Sequence, residues 1–528
     1  MKKDLEVAKQ ALSANDLPAA HRLLRKCLRA VPRDPQANEL FAYVLGRMGR
    51  VDQAVRHLEI ATSTGSASDT AWYYLGVGYF GRHDLPRAER AFRAAVSVNP
   101  RFFEASHDLG RTLHEQGRHA EAVEALEKAA SLGPASPEAL HNLGRSLSAL
   151  GRYADALDAY DRALALNPAR PETWLNRGEA LHDLGRFSDA LESYARARQL
   201  RRHYPEATSN EAITLLKLGR LEAGFEAFEA RWEGTAALTR RHMDIARWHG
   251  GTSLSGKRLL VWSEQGLGDA VQFSRYIPLL EQQGAHVVFE VHPDIEPVMQ
   301  RSFGCEVIAL GEDPGPIDLQ VSVLSLPHAF HTREESIPRT VPYLACDDTW
   351  AARWSGRLAR RDGRPSVALA CSGRATYKYE QRRRVPLSMF ASLARHCTLF
   401  LAQRDLHEDD RRVLESGAVQ VEWLGSEMHD LRDAFGIVKC VDLVISVDTS
   451  LTHVAGSLGQ HTCLLLADVA DWRWIAGRDE SPWYPSVRIF HQSVPGSWHE
   501  PLARVEDAVR ELAAADCPPE PGRAIISP

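Results

Sequence analysis

The sequence has no apolar run approaching the roughly 20 residues that span a bilayer, and its opening, MKKDLEVAKQALSAND, lacks the uninterrupted apolar core of a signal peptide. The cytoplasm is therefore the expected compartment. Charge of neither sign dominates: the net charge is -6 over 528 residues, which gives no electrostatic reason to expect nucleic acid or an anionic membrane as the main partner. The eight cysteines never approach a Cys-x-x-Cys spacing, so neither a disulfide framework nor a zinc site is expected. A chain of this length is too long for a single core, and three domains of ordinary size are the natural expectation.

What the sequence does have is a repeat. The small residues Ala8, Ala42, Gly76, Gly110, Gly144, Gly178 and Ala212 recur every 34 positions, and Ala20, Ala54, Ala88, Ala122, Ala156, Ala190 and Gly224 follow them twelve residues later. Pro32, Pro100, Pro134 and Pro168 close four of the units. This is the pattern of a helix-turn-helix in which small residues let paired helices approach and proline ends the second helix. HNLGRSLSALGRYADALDAYDRALALNP, His141 to Pro168, resembles the tetratricopeptide repeat, and seven such units cover residues 1–235. An array of this kind carries a concave binding face.

Asn142, Asn176 and Asn210, with Asp108 one unit earlier, keep the same phase on the first helices. A side-chain amide both donates and accepts, so a row of them suits a peptide backbone. The alternative is that each asparagine bonds a neighbouring helix. The row resembles the peptide-holding ladder of eukaryotic protein O-linked N-acetylglucosamine transferases, which join such repeats to a glycosyltransferase.

After residue 235 the periodicity fades, and 236–255 reads as a linker. From Arg258 the pattern alternates strand and helix: RLLVW, AVQFSRYIPLLEQQG and HVVFEV, then VALAC, CTLFLAQ, VQVEWLG, VDLVISVD and TCLLLA. Two α/β lobes are expected, an N-terminal one at 256–348 and a C-terminal one at 349–515, each with an open parallel sheet. A final helix, Pro501 to Ala515, is expected to pack across the first sheet, followed by a proline-rich tail, 516–528.

The glycine-rich turn EQGLGDAVQF, Glu264 to Phe273, stands between strand and helix, where α/β proteins do chemistry. A dinucleotide fingerprint fails there, because Val271 holds the third glycine position and the Asp269 carboxylate would repel a pyrophosphate. Glu290, at the end of the next strand, is the one residue that favours a ribose contact.

GLGDAVQFSRYIPLL, Gly266 to Leu280, together with VDLVISVDTSLTHVAGSLG, Val441 to Gly459, resembles the bacterial heptosyltransferase-like glycosyltransferases of the GT-B fold, over about residues 255–515. The resemblance implies an inverting, metal-independent transferase without a resident cofactor. Its nucleotide sugar would lie on the C-terminal lobe and its acceptor on the N-terminal one. Asp269 matches the catalytic aspartate of that motif, with Gly268 and Gln272 on the acceptor side. The residues alone also allow Asp269 and Gln272 to be a capping pair.

Asp448, Thr449 and Ser450 end a strand and begin a helix whose free N–H groups favour a diphosphate, with Ser450, Thr452 and His453 adding side-chain donors; the alternative is an ordinary strand-helix junction with an Asp or Thr cap and a partly buried histidine. The family often has glycine where Ser450 stands. In CSGRATYKYEQRRRVP, Ser372 and Gly373 make a turn, and Lys378 with one of Arg382, Arg383 and Arg384, Arg382 being chosen for donor binding, would offset charge on a leaving nucleoside diphosphate, the other arginines staying on the surface; the alternative is that the whole basic run is a solvated face. The aromatics of DWRW, from Asp471, and SPWYP, from Ser481, either stack on a ligand or pack between lobes. The expected activity is glycosyl transfer to Ser or Thr of a protein captured by the repeats, with flagellin the acceptor suggested by bacterial flagellin glycosyltransferases of similar organisation. A lipopolysaccharide-type transferase with a partner-binding array and a non-catalytic adaptor are the alternatives.

Overall fold

The computed structural model describes residues 2–63, 67–132, 136–234, 240–374, 380–468 and 470–514. Pro134, Lys378 and the tail 516–528 lie outside them. The chain forms two compact units, one ending at His203 and the other beginning at Tyr204.

The first unit is a succession of helical pairs, such as Pro137–Ala149 with Tyr153–Leu166 and Pro171–Asp183 with Phe187–Leu200. The recurrent glycines act as sockets. A Cβ at Gly144 would lie 2.5 Å from the Tyr160 ring, and one at Gly178 would lie 2.4 Å from Tyr194. In each pair the second helix drops a large side chain onto the bare backbone of the first, and Tyr160 and Tyr194 are among the largest fully buried side chains. A second periodicity lies in the turns. Asn15, Gly49, His83, Gly117, Gly151, Gly185 and Gly219 all have positive φ, and they too recur every 34 residues. Five of the seven are glycine, which adopts this conformation without penalty.

The second unit contains the seventh helical pair, Pro205–Lys217 and Leu221–Phe228, and two parallel sheets. The first sheet is built from β1 (Arg258–Trp262), β2 (His286–Val291), β3 (Glu306–Ala309) and β4 (Leu319–Ser322), in the order β3-β2-β1-β4. The second contains β5 (Ser366–Ala370), β6 (Thr398–Leu401), β7 (Val421–Trp423), β8 (Leu443–Val447), β9 (Thr462–Leu466) and β10 (Val487–His491), in the order β10-β9-β8-β5-β6-β7. β1 lies between β2 and β4, with Leu260 opposite Val288 and Gln320. β5 lies between β6 and β8, with Ala368 opposite Phe400 and Val444. The strand order therefore reverses at β1 in one lobe and at β5 in the other, and loops leaving the carboxyl ends of such strands are where α/β sheets bind ligands.

Three expectations are corrected. The segment read as a linker is packed over its described part: Trp248 and Leu254 are buried, and the Trp248 N–H donates to Gln320 O at 2.8 Å. The final helix, His499–Ala514, packs on β9 and β10 of the second sheet through Val505, Val509 and Leu512, not on the first. The seventh helical pair joins the α/β core: Leu216, Phe225 and Phe228 share one apolar cluster with Val261, Phe273, Trp472 and Trp483.

Candidate functional site

The turn after β1 carries Asp269 into the first turn of the helix Leu267–Phe273. Its Oδ2 accepts the Gly266 N–H at 2.8 Å, so Asp269 caps the helix. Gln272 is not its capping partner. That side chain is fully buried, and among the described residues neither its Oε1 nor its Nε2 has a hydrogen-bond partner, so it is not displayed to an acceptor. The other oxygen of Asp269, Oδ1, is paired with Arg473 Nη2 of the second lobe. Arg473 also donates to Asp471 Oδ1 at 2.7 Å and lies 4.3 Å from the Trp472 ring centroid.

Electrostatics in this cluster are set by burial. Asp269 has 15% side-chain exposure and Arg473 10%. Burial raises the Asp269 pKa above the ordinary carboxylate value, against the opposing pull of Arg473. Asp448 is pushed up to about 6 by burial and by the neighbouring Asp471 charge, against the pull of Arg383. Burial also acts to raise Asp471, but Arg473 outweighs it and holds that group below its usual value. One guanidinium thus serves three carboxylates.

His453 was expected to present a donor at the start of the helix Ser450–Leu458. It is instead buried, with Nδ1 2.9 Å from the Tyr484 hydroxyl and its ring stacked on Trp474 at 5.6 Å. A Cβ at Gly268 would lie 2.9 Å from His453 Cδ2, so this glycine is where the two lobes touch. Burial, with Arg473 and Arg275 close by, lowers the His453 pKa to about 3 and leaves the imidazole neutral. Thr452 is also turned away, its hydroxyl bonded to Val447 O at 3.1 Å. Thr449 and the exposed Ser450 remain at the helix start, with Thr449 Oγ1 3.0 Å from Ser446 Oγ.

The loop after β5 is organised by residues that the sequence reading passed over. Gln403 Oε1 accepts the N–H groups of Cys371 and Ser372 at 2.8 and 3.2 Å, and its Nε2 donates to Ser372 Oγ at 2.8 Å. Glu380 accepts the Gly373 N–H at 2.7 Å and the Arg383 Nε–H at 3.0 Å. A Cβ at Gly373 would fall 2.0 Å from Arg383 Nη2, so a larger residue here would push the Arg383 guanidinium aside. Of the three arginines, Arg383 reaches the junction, donating to Asp448 O at 2.8 Å. Arg382, the residue chosen from sequence, pairs with Asp468, and Arg384 pairs with Asp410 at 3.1 Å.

Two other acids are engaged by the chain itself. Glu290 accepts from Arg241 Nη1 at 2.5 Å and the Gly311 N–H at 3.1 Å, and lies 2.9 Å from His242 Nε2, which removes the ribose contact expected of a dehydrogenase. Glu264 is buried against Arg231 at 2.6 Å. Among the described residues, no group of three His, Cys, Asp or Glu side chains is arranged to hold a metal ion.

Backbone strain flags the same place. Gln265 (φ 61°) precedes the Asp269 turn, and Ile475 (φ 46°), a β-branched residue rarely found there, follows Trp474. The seventh helical pair supports this second turn. The Ala476 N–H donates to Lys217 O at 2.9 Å, and the Phe225 ring meets Trp472 edge-on at 5.6 Å.

In the array, Asn142 Nδ2 lies 3.0 Å from His107 Nε2 of the preceding unit, the neighbouring-helix contact that was the alternative to a ladder. Asn176 is half-buried, and Asn210 belongs to the second compact unit.

A tetratricopeptide-repeat model matches residues 76–137, 141–205 and 183–237. The helical pairs over these residues are tetratricopeptide repeats. Protein FlbA of Caulobacter vibrioides is 26% identical over 318 residues, which is 55% of this chain and 53% of FlbA, so the chain spans about half the length of that relative. Among solved structures, MamA (23% identity, TM-score 0.29) aligns with 31% of this chain and 95% of its own. YrrB, described as a repeat protein with an unusual peptide-binding site, aligns with 35% of this chain and 95% of its own (21% identity, TM-score 0.33).

Proposed function

We propose that this chain is an inverting glycosyltransferase that moves a sugar from a nucleotide-sugar donor to a Ser or Thr hydroxyl of a protein held by the repeat array. The observation that carries the reading is the position of Asp269, a mostly buried carboxylate at the carboxyl end of β1, where the strand order reverses, facing the corresponding end of the second sheet. In the reaction the acceptor oxygen attacks the anomeric carbon opposite the leaving group. Its proton passes to Asp269, and the sugar–phosphate bond breaks with its electron pair going to the nucleoside diphosphate. Burial makes Asp269 a stronger base than a surface aspartate. Lys378 and Arg383 are the proposed cations for the diphosphate, Thr449 and Ser450 its donors at the helix start, and Asn176 the proposed acceptor contact on the array. Flagellin is the acceptor we would test first.

The adaptor reading has one observation in its favour: both oxygens of Asp269 are already engaged, by Gly266 and by Arg473. Thermal unfolding of the full chain against UDP-, GDP-, dTDP-, ADP- and CMP-sugars separates the two. A donor at a hundredfold its Kd adds about 2.7 kcal/mol of stability. A chain that none of these donors stabilises is not this enzyme.

A further inference from the structure

We propose that Arg473 is a positioning residue that reaches from the second lobe to fix the carboxylate of Asp269 on the first. The inference rests on the reading of Asp269 as the base, but its structural content stands apart from any substrate. Two fixed contacts determine the orientation of a carboxylate, and Asp269 has one on each oxygen: Gly266 N–H on Oδ2 at 2.8 Å and Arg473 on Oδ1. A carboxylate oxygen carries two lone pairs, so one on each oxygen stays open for a substrate proton.

Arg473 is itself restrained. Its own N–H donates to Asp471 Oδ1 at 3.0 Å, its Nη1 donates to the same oxygen at 2.7 Å, and its guanidinium lies against Trp472 and within 5.9 Å of the Phe273 ring centroid. The turn that carries it is tied to the seventh helical pair through Lys217 and Phe225. Because Asp269 and Arg473 sit on different lobes, the carboxylate is correctly placed only when the lobes hold this arrangement.

The charged and titratable groups that act on the pair are Asp471, Asp448, the neutral His453 and Tyr484, with Arg383 acting in turn on Asp448 and Arg275 on His453. Removing Arg473 would leave Asp269 buried near the Asp471 charge with no direct cationic partner. Its carboxyl would then hold a proton in the folded state that it releases on unfolding. The folded state would bind more protons than the unfolded chain, so stability would fall as pH rises above the ordinary aspartate range.

The test is thermal unfolding of the full chain from pH 5 to pH 8 for Arg473→Met, Asp269→Asn, the double variant and Arg473→Lys. We expect the Tm deficit of Arg473→Met to widen as pH rises. Asp269→Asn in that background should make the slope shallower, and Arg473→Lys, which keeps the charge, should restore most of the wild-type slope. A deficit that is constant with pH, or a double variant as steep as Arg473→Met, would overturn the proposal and assign Arg473 to Asp471 alone. If Arg473→Met does not fold, the comparison of Arg473→Lys with and without Asp269→Asn decides. Effects that add independently there also overturn it. No substrate enters these measurements, so an inactive wild-type chain would refute the transferase reading without touching this result.

Discussion

Asp269 and Arg473, 204 residues apart, form a mostly buried ion pair that joins the two lobes. This changes what substitution at Asp269 does. Asparagine can keep the cap on Gly266, but it cannot pair with a guanidinium, and losing one partner of a buried pair costs about 3–5 kcal/mol. Asp269→Asn is therefore predicted to lower Tm as well as to reduce transfer by roughly 10²–10⁴. Turnover per folded molecule is the quantity to measure, and a folded variant with full turnover would leave Asp269 as cap and latch only.

The compact-unit boundary predicts where the chain can be cut. Removing residues 1–203 should leave a folded protein that binds its donor but does not modify a protein acceptor. Removing residues 1–235 takes away Leu216, Phe225 and Phe228, which lie in the α/β core, and is predicted to give insoluble or unfolded material. Circular dichroism and donor titration on both truncations check this. A well-folded chain lacking the seventh pair would contradict the packing argument.

The glycine sockets predict a graded response in the array. Gly144→Ala places a Cβ 2.5 Å from Tyr160, and relief requires that a fully buried ring move. Overpacking of this kind typically costs about 1–3 kcal/mol. Gly151→Ala meets no neighbour but is strained by its φ of 74°, and should cost about 1 kcal/mol. Equilibrium urea unfolding of the two variants should rank them in that order.

Much of this architecture is legible in the sequence. The 34-residue recurrence of small residues has a direct cause in helices that pack side chain against backbone, and runs such as LVISV and TCLLL reveal strands buried on both faces. The strands that escaped are Glu306–Ala309 and Leu319–Ser322, which are short and partly exposed, and Val487–His491, whose Arg488 interrupts the run. Arg473 escaped for another reason. Its meaning depends on an aspartate 204 residues away, and nothing in DWRW distinguishes it from a surface arginine. The turn recurrence at 15, 49 and 83 was hidden because asparagine and histidine stand there as well as glycine.

Buried histidines predict the acid behaviour of the array. Burial lowers His141 to about 3 and His114 to about 4, from an ordinary value of 6.5. Between these values the unfolded chain binds more protons than the folded one, so this stability is complete above pH 6.5 and is lost as pH falls toward 3–4. Each such group contributes about 1.4 kcal/mol per pH unit over its window. His141→Gln should flatten the decline between pH 6.5 and pH 4, measured by urea unfolding. An unchanged slope would mean that His141 titrates normally.

The proposed mechanism assigns two cations to the leaving group. Lys378→Ala is predicted to lower turnover by about 10². Arg383→Ala should weaken donor binding where Arg382→Ala does not, because Arg383 contacts Asp448 O and Arg382 is paired with Asp468. Calorimetric titration of the stabilising donor into both arginine variants checks this. Equal losses would place neither at the diphosphate.

Sugar transfer to protein with Asp269 as base can be read out by intact and peptide mass spectrometry of proteins from cells that carry the wild-type chain, no chain, or the Asp269→Asn chain at equal abundance. A hexose-class or related sugar mass is expected on Ser or Thr of a defined acceptor with the wild-type chain, absent in the other two. Identical glycosylation in all three would contradict it.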